Sequence, residues 1–230
     1  VGQACNIKQH KYVEKFIKRA LKFKVKTKRE TYRAGDWTGD VASASHLITI
    51  FSIAISLKAK RILELGVGTG TTTLPLLCAA KYTKGCVESV DIESKRFKCP
   101  KELKSYWKFY QEDTTEYLKN IRKGIIYDLI FIDDCHVYEH VKKELELLSP
   151  HLNKSSIVLL HDLMHFSWPN YMEYNDSNYD HVWKSIPYPG HRRSFAGGGP
   201  YRAVKEIDTD IYEYATIPVC NGLTILRKKK

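Results

Sequence analysis

No apolar run in these 230 residues is long enough to cross a bilayer as a helix. The longest candidate, Leu47 to Leu57, is too short and has helix-compatible flanks, so no membrane partner is expected. No signal-peptide pattern is visible. The chain begins at Val1 rather than methionine, which reads as a trimmed chain or one piece of a longer polypeptide. Cysteine is sparse and scattered: Cys5, Cys78, Cys86, Cys99, Cys135 and Cys220 form no C-x-x-C pair and no zinc spacing. Reduced thiols, many of them buried, and a cytoplasmic location are the expectation. The sequons at Asn153 and Asn175 mean little without a secretion signal, and no internal repeat is present.

Acidic residues are also in deficit, 26 Asp and Glu against 37 Lys and Arg, for a net charge of +11. Such a balance invites a nucleic-acid partner. The excess is local, however. Lys8 to Arg33 carries eleven Lys and Arg against two glutamates, and the chain ends Arg227-Lys228-Lys229-Lys230. These stretches read as a solvated helix face and tail, or as surfaces for an acidic partner. Nucleic acid is therefore possible but not favoured. Apolar residues, by contrast, make up 43% of the chain, enough for a packed core. The length suits one α/β domain, or such a core with a small appendage.

From His10 to about Lys26, apolar residues recur at three- and four-residue spacing, which predicts an amphipathic helix with a basic outer face. A turn around Ala34 to Asp40 precedes a second helix, capped by Ser43 or Ser45 and running to about Leu57. Residues 1–58 are thus expected as a helical extension packing on the core, or in a homodimer contact. Residues 59–230 form the core. Strands are expected at Arg61–Leu65, Cys86–Asp91, Trp107–Gln111, Tyr127–Asp133 and Ser156–Leu160. Helices are expected at Thr71–Tyr82, Thr114–Ile121 with Asp113 as its N-cap, and Tyr138–Leu148, with a short helix and loop around Pro100. Near-continuous apolar strands alternating with helices predict a doubly wound, mostly parallel sheet of seven strands. The edge pair, Ile211–Thr216 with Leu223–Arg227, is antiparallel. The polar, aromatic stretch 164–200, with a possible helix near Asp180–Ile186, reads as a functional loop or lid.

The core is organised around Glu64-Leu65-Gly66-Val67-Gly68-Thr69-Gly70-Thr71. A strand ending in three closely spaced glycines and running into a helix gathers backbone N–H groups around a ligand. The dinucleotide fingerprint fits poorly, because its third glycine would fall at Thr71. In an open α/β sheet, ligands bind beyond the carboxyl ends of the strands. The residues expected there are acids and histidines. Asp91 ends strand two, and Glu112-Asp113 follows strand three. Asp133-Asp134-Cys135-His136 closes strand four, and His161-Asp162 follows strand five. Asp91 can take both hydroxyls of a ribose, or cap a helix. Asp133 can likewise be a cap, and His136 a surface histidine.

From Trp37 to Arg227 the sequence resembles class I S-adenosylmethionine-dependent O-methyltransferases, with their Rossmann-like fold. The likeness is greatest to the divalent-metal-dependent small-molecule type that acts on catechols, caffeoyl thioesters and macrolide sugars. Glu64, Gly66, Gly68, Gly70 and Thr71 match the first motif, and Trp37-Thr38-Gly39-Asp40 is similar to the segment crossing the cofactor's methionine end. Asp91 matches the ribose acid, Ile92 lies beside the adenine, and Asp113 with Thr114 matches the adenine end. The resemblance assigns Asp133 to cofactor, metal and catalysis, and His136 to the catalytic base. Asp162 matches the second metal aspartate. Leu163 stands where catechol-type enzymes carry asparagine, which makes His161 a candidate ligand in its place. Magnesium or another divalent cation is implied, with a small-molecule hydroxyl as acceptor.

Elementary chemistry supports that division of labour. A hydroxyl is mostly protonated at neutral pH and is a poor nucleophile. A divalent cation lowers its pKa, and an imidazole can take the proton. Alignment of donor and acceptor supplies much of the rate for an in-line methyl transfer. A metal-free mechanism using His136 alone is also compatible with the residues. Other readings are an RNA or cap methyltransferase, and a cofactor-binding assembly module without catalysis.

Overall fold

The computed structural model describes residues 46–93, 97–163, 199–218 and 221–229. The expected first helix, the 34–40 turn, the helix near Asp180–Ile186 and most of the 164–200 loop lie outside the described residues, as does the basic stretch 8–33. The strands are β1 Arg61–Leu65, β2 Cys86–Asp91, β3 Trp107–Gln111, β4 Leu129–Ile132, β5 Ile157–His161, β6 Tyr212–Ile217 and β7 Leu223–Lys228. The helices are α1 Leu47–Ser56, α2 Thr73–Thr83, α3 Thr114–Asn120, α4 Tyr138–Leu148 and α5 Gly199–Lys205. One seven-stranded sheet has the order β3-β2-β1-β4-β5-β7-β6. Strands β1 to β5 pair in parallel, and β7 runs antiparallel between β5 and β6.

Side chains alternate across this sheet with the two-residue period of extended backbone. Ile62, Leu129, Phe131 and Leu159 pack under α1 and α2. Leu63, Leu65, Ile130, Ile132, Val158 and Leu160 pack on the other face with Leu118 of α3, Val141 of α4 and Val204 of α5. Because helices cover both faces, the central strands are apolar at consecutive positions rather than at alternate ones.

The expected elements are present with shifted ends. Strand β4 is shorter than Tyr127–Asp133, because the Asp128 carboxylate accepts from the backbone N–H groups of Lys60 and Arg61 and so fixes the start of β1. Strand β5 starts one residue later than expected, since Ser156 turns its hydroxyl onto the Tyr127 carbonyl. Helix α2 starts at Thr73 rather than Thr71. Helix α5 was not expected, because the Gly-Gly-Gly-Pro run that introduces it is loop punctuation in a sequence; its Ala203 and Val204 are buried. Cys78, Cys86, Cys99 and Cys135 are thiols that are half-buried rather than buried.

Two features hold the upper end of β1. Glu64 is fully buried beneath the glycine loop. It accepts hydrogen bonds from Thr72, Thr73 and Ser89, and Ser89 in turn accepts from the Trp107 indole N–H. One carboxylate therefore ties β1 to the start of α2, to β2 and to β3. Burial outweighs the lowering effect of these hydroxyls and pushes its pKa from 4.5 up to about 7. Gly66, at φ +89°, is the second feature. A Cβ there would lie 2.6 Å from the Asp133 carbonyl carbon and 2.8 Å from Asp134 Cα. Neither backbone atom can move without parting β1 from β4.

These features generate two predictions. A carboxyl whose pKa is raised by folding contributes stability below its unfolded value and loses that contribution as pH rises through the folded value. Wild-type stability from Glu64 should therefore decline between pH 4.5 and about 7. In Glu64→Gln that slope should be absent, as followed by melting temperature; equal slopes in the two proteins would contradict the assignment. Gly66→Ala should cost about 3 kcal/mol or more in denaturant unfolding, from backbone overlap. Gly68, at φ +49° with nothing within 4 Å of where an alanine methyl would stand, should cost only about 1 kcal/mol on change to alanine. Similar costs at both positions would refute the contact argument.

Candidate active site

Strand order reverses between β1 and β4, and a cleft beyond their carboxyl ends is where open α/β sheets bind ligands. The glycine loop forms one side of that region. Asp91 Oδ2 accepts from the N–H groups of Val67 at 2.8 Å and Gly68 at 2.9 Å, and Oδ1 accepts from Glu93 N–H at 2.8 Å. Asp91 thus braces the loop as well as standing at the end of β2. Gly70, at φ +84°, leaves room for the Phe97 ring where a Cβ would overlap it. Thr71 is buried, with its hydroxyl 3.0 Å from that of Thr69. Gly68 alone of the three glycines faces open space. Glu64 lies under the loop, where it supports rather than lines the cleft.

The tips of β4 and β5 bring Asp133, His136, His161 and Asp162 together. His136 Nε2 is 3.3 Å from Asp133 Oδ1 and 2.9 Å from Asp162 Oδ2. His161 Nδ1 is 3.3 Å from Asp133 Oδ1 and 3.1 Å from Asp162 Oδ1. His161 is held edge-on against the His46 ring, 5.5 Å away between centroids. Asp162 is buried at φ +66°, a left-handed conformation that aspartate tolerates. Its N–H is tied to the Gly222 carbonyl at 3.1 Å, so β7 helps to set the carboxylate's position.

Electrostatics couples the four groups. Burial alone would lower the His136 pKa, but the Asp162 charge and hydrogen bonds with both aspartates raise it well above its ordinary value. Burial is likewise overcome at His161, where Asp133 and then Asp162 push the pKa up to about 10. Burial would raise both carboxyl pKa values; His161 and His136 hold Asp133 down, and His136 and His161 hold Asp162 well down. Two carboxylates facing two imidazoliums form a neutral group. Two carboxylates, two neutral imidazoles and one divalent cation would be neutral as well.

That count bears on whether a metal fits. Ligand atoms of Asp133, His136 and Asp162 lie within 4.8 Å of one another. Asp162 is buried, with Oδ1 facing His161 Nδ1 and Oδ2 facing His136 Nε2. Two aspartates and adjacent imidazoles suit a divalent cation, with the imidazoles widening the range from magnesium towards manganese and zinc.

Other expected residues stand around this group. Ile92 is 69% exposed beside Asp91, an apolar surface at the mouth of the cleft. Asp113 caps α3, accepting from the N–H groups of Thr115 and Glu116. The Thr114 hydroxyl donates to Asp134 Oδ2 at 2.8 Å and lies 2.9 Å from His140 Nε2. His140 and Glu144 were not anticipated. Their signal is the four-residue spacing on α4, which brings both to one helix face. Trp37 to Asp40 and the loop aromatics Phe166, Trp168, Tyr171 and Tyr174 lie outside the described residues.

Residues 63–163 match a family model described as a methyltransferase domain. No curated protein matches the chain. Among solved structures, a candidate caffeoyl-CoA O-methyltransferase from Staphylococcus aureus is 16% identical, with 97% of this chain and 96% of that chain covered and a TM-score of 0.56. A SAH-bound methyltransferase from Podospora anserina is 15% identical, with full coverage of both chains and a TM-score of 0.54. A TDP-rhamnose 3'-O-methyltransferase of calicheamicin biosynthesis is 15% identical, covering 100% and 97%, with a TM-score of 0.51. These similarities establish the Rossmann-like fold. Residues 63–163 thus match a methyltransferase domain, within a chain that has the Rossmann-like α/β fold of these O-methyltransferase structures.

Proposed function

We propose that this protein transfers a methyl group from S-adenosylmethionine to a hydroxyl of a small molecule, with a divalent cation at Asp133 and Asp162 and His136 as the base. The observation that carries the reading is the convergence of Asp133, His136, His161 and Asp162 at the tips of β4 and β5. That group adjoins the glycine loop through the Gly66–Asp133 contact. The hydroxyl acceptors named for the Staphylococcus aureus and TDP-rhamnose proteins support an oxygen acceptor of small size.

S-adenosylmethionine, when bound, supplies a methyl group on a sulfonium, which leaves without its bonding electrons. A cation held by Asp133 and Asp162, with His161 beside them, supplies Lewis acidity towards the acceptor oxygen. The chain's own residues then have distinct tasks. Gly68 leaves the loop open for close approach of the cofactor backbone. Asp91 keeps the loop N–H groups in place. His136 Nε2 receives the hydroxyl proton, and the neighbouring carboxylates stabilise the imidazolium that results. His136 can accept a proton only when neutral, so the carboxylates that favour its charged form must be partly occupied by another cation.

Calorimetric titration with S-adenosylmethionine should give stoichiometric binding; no binding would sink the reading. His136→Ala should lower turnover about a hundredfold or more while leaving cofactor affinity within about twofold. Unchanged turnover would remove His136 as the base. Metal binding should also release protons, because both imidazoles hold theirs to high pH. Affinity for Mg²⁺ or Mn²⁺ should therefore rise with pH, with a proton release measurable by calorimetry in buffers of different ionisation enthalpy. A pH-independent affinity would place the cation elsewhere.

A further inference from the structure

Next to the described site, and independent of it, α4 carries a second group of donors. His140 and Glu144 stand one turn apart on that helix. Three oxygens surround His140 Nε2: Thr114 Oγ1 at 2.9 Å, Asp134 Oδ2 at 3.2 Å and Glu144 Oε1 at 3.5 Å. One ring N–H can serve only one of them well. Glu144 is 0% exposed; its Oε1 lies 3.5 Å from the His140 ring nitrogen, its carboxylate makes no well-formed hydrogen bond among the described residues, and Asp134 Oδ1 is buried in the same state. Three carboxylate oxygens left in this state carry a large desolvation cost.

We propose that Asp134, His140 and Glu144 form a second cation site, suited to zinc or a similar transition metal, that fastens the loop after β4 to α4. Their ligand atoms lie within 4.8 Å of one another. Around a tetrahedral ion with bonds of about 2.0–2.1 Å, neighbouring ligand atoms stand about 3.4 Å apart. The Nε2–Oδ2 and Nε2–Oε1 separations of 3.2 and 3.5 Å bracket that edge. The charges agree with the geometry. Two carboxylates and a neutral imidazole carry −2, which one divalent cation cancels in place of the two protons that His140 and Glu144, both with raised pKa values, otherwise hold. One imidazole with two carboxylates is softer than magnesium prefers and suits zinc. The Thr114 hydroxyl, donating to Asp134, orients that ligand from outside the coordination sphere.

The site is separate from its neighbour although Asp133 and Asp134 are adjacent. Asp133 meets His136 and His161, while Asp134 meets Thr114 and His140. A cation here would brace the backbone that presents Asp133. It makes no contact with the tetrad's histidines.

The test is cobalt titration of chelator-treated full-length protein, read by visible absorption. In a background carrying Asp133→Asn and Asp162→Asn, one equivalent of Co²⁺ should bind with the intense bands of tetrahedral coordination. Adding His140→Ala should lower that affinity about a hundredfold or more, and Glu144→Gln about tenfold or more. Glu144→Gln keeps the side-chain shape, so it reports on ligation even if His140→Ala fails to fold. In the otherwise wild-type chain, Glu144→Gln should lose one equivalent of bound Co²⁺. Failure of the background protein to take up cobalt, or unchanged affinity in both second-site variants, would overturn the proposal. Either result leaves the reading of Asp133 and Asp162 untouched.

Discussion

The peptide of Asp133 lies against Gly66 with no room for a Cβ between them, and the Gly66 N–H is tied across to Val90 while the Asp133 N–H is tied to Leu65. Through this contact the ends of three neighbouring strands are locked at one height. The glycine loop on β1 and the acids on β4 cannot move apart without breaking the sheet. A site that must align a methyl donor with an acceptor oxygen needs that kind of fixed spacing. Glu64 adds to it from below, with one carboxylate joining β1 to α2, β2 and, through Ser89, β3. Gly66 and Glu64 carry no chemistry of their own in the proposed reaction, yet they fix the spacing between the glycine loop and the acids on β4.

Charge is arranged with similar economy. Asp133 and Asp162 are placed in surroundings that disfavour ionised carboxyls, and are kept ionised by His136 and His161. A buried ionic group of this sort adds little to stability when complete and costs much when one partner is lost. Its interest lies in exchange: two protons or one divalent cation can neutralise the same two aspartates. Metal occupancy and the protonation of His136 are then linked, and pH sets both. The second cluster, on α4, differs in having three buried carboxylate oxygens without a well-formed hydrogen bond among the described residues.

Much of the fold was legible because its signals are local. Buried strands of four to six residues, the glycine turn and the Asp113 cap each declare themselves within a short window, and parallel pairing follows from helices between them. The ends were less legible. The extra residues assigned to β4 are apolar or strand-like, but the Asp128 carboxylate is engaged with Lys60 and Arg61, 67 or 68 positions away. Helix α5 was hidden by three glycines and a proline, since its short apolar face is stabilised by tertiary packing in the cluster that holds α4. Candidate site residues could be gathered from strand ends, whereas the meeting of the Thr114 hydroxyl with Asp134 and His140 could not.

By itself, the order of residues determined the strand-loop-helix alternation, the glycine turn after β1 and the presence of acids and histidines at successive strand ends, because backbone periodicity and turn chemistry act over a few residues. Which of those residues share one site was decided by tertiary structure. Placing β4 beside β1 brings Asp133 against Gly66, and the register of β5 against β7 places His161 on the α1 face and turns Asp162 back towards His136. Glu64, expected in the cleft, lies beneath it, and His140 with Glu144, spaced by one helical turn, meets Asp134 from another element. Side-chain direction at a strand tip depends on contacts many positions distant, and no local pattern contains them.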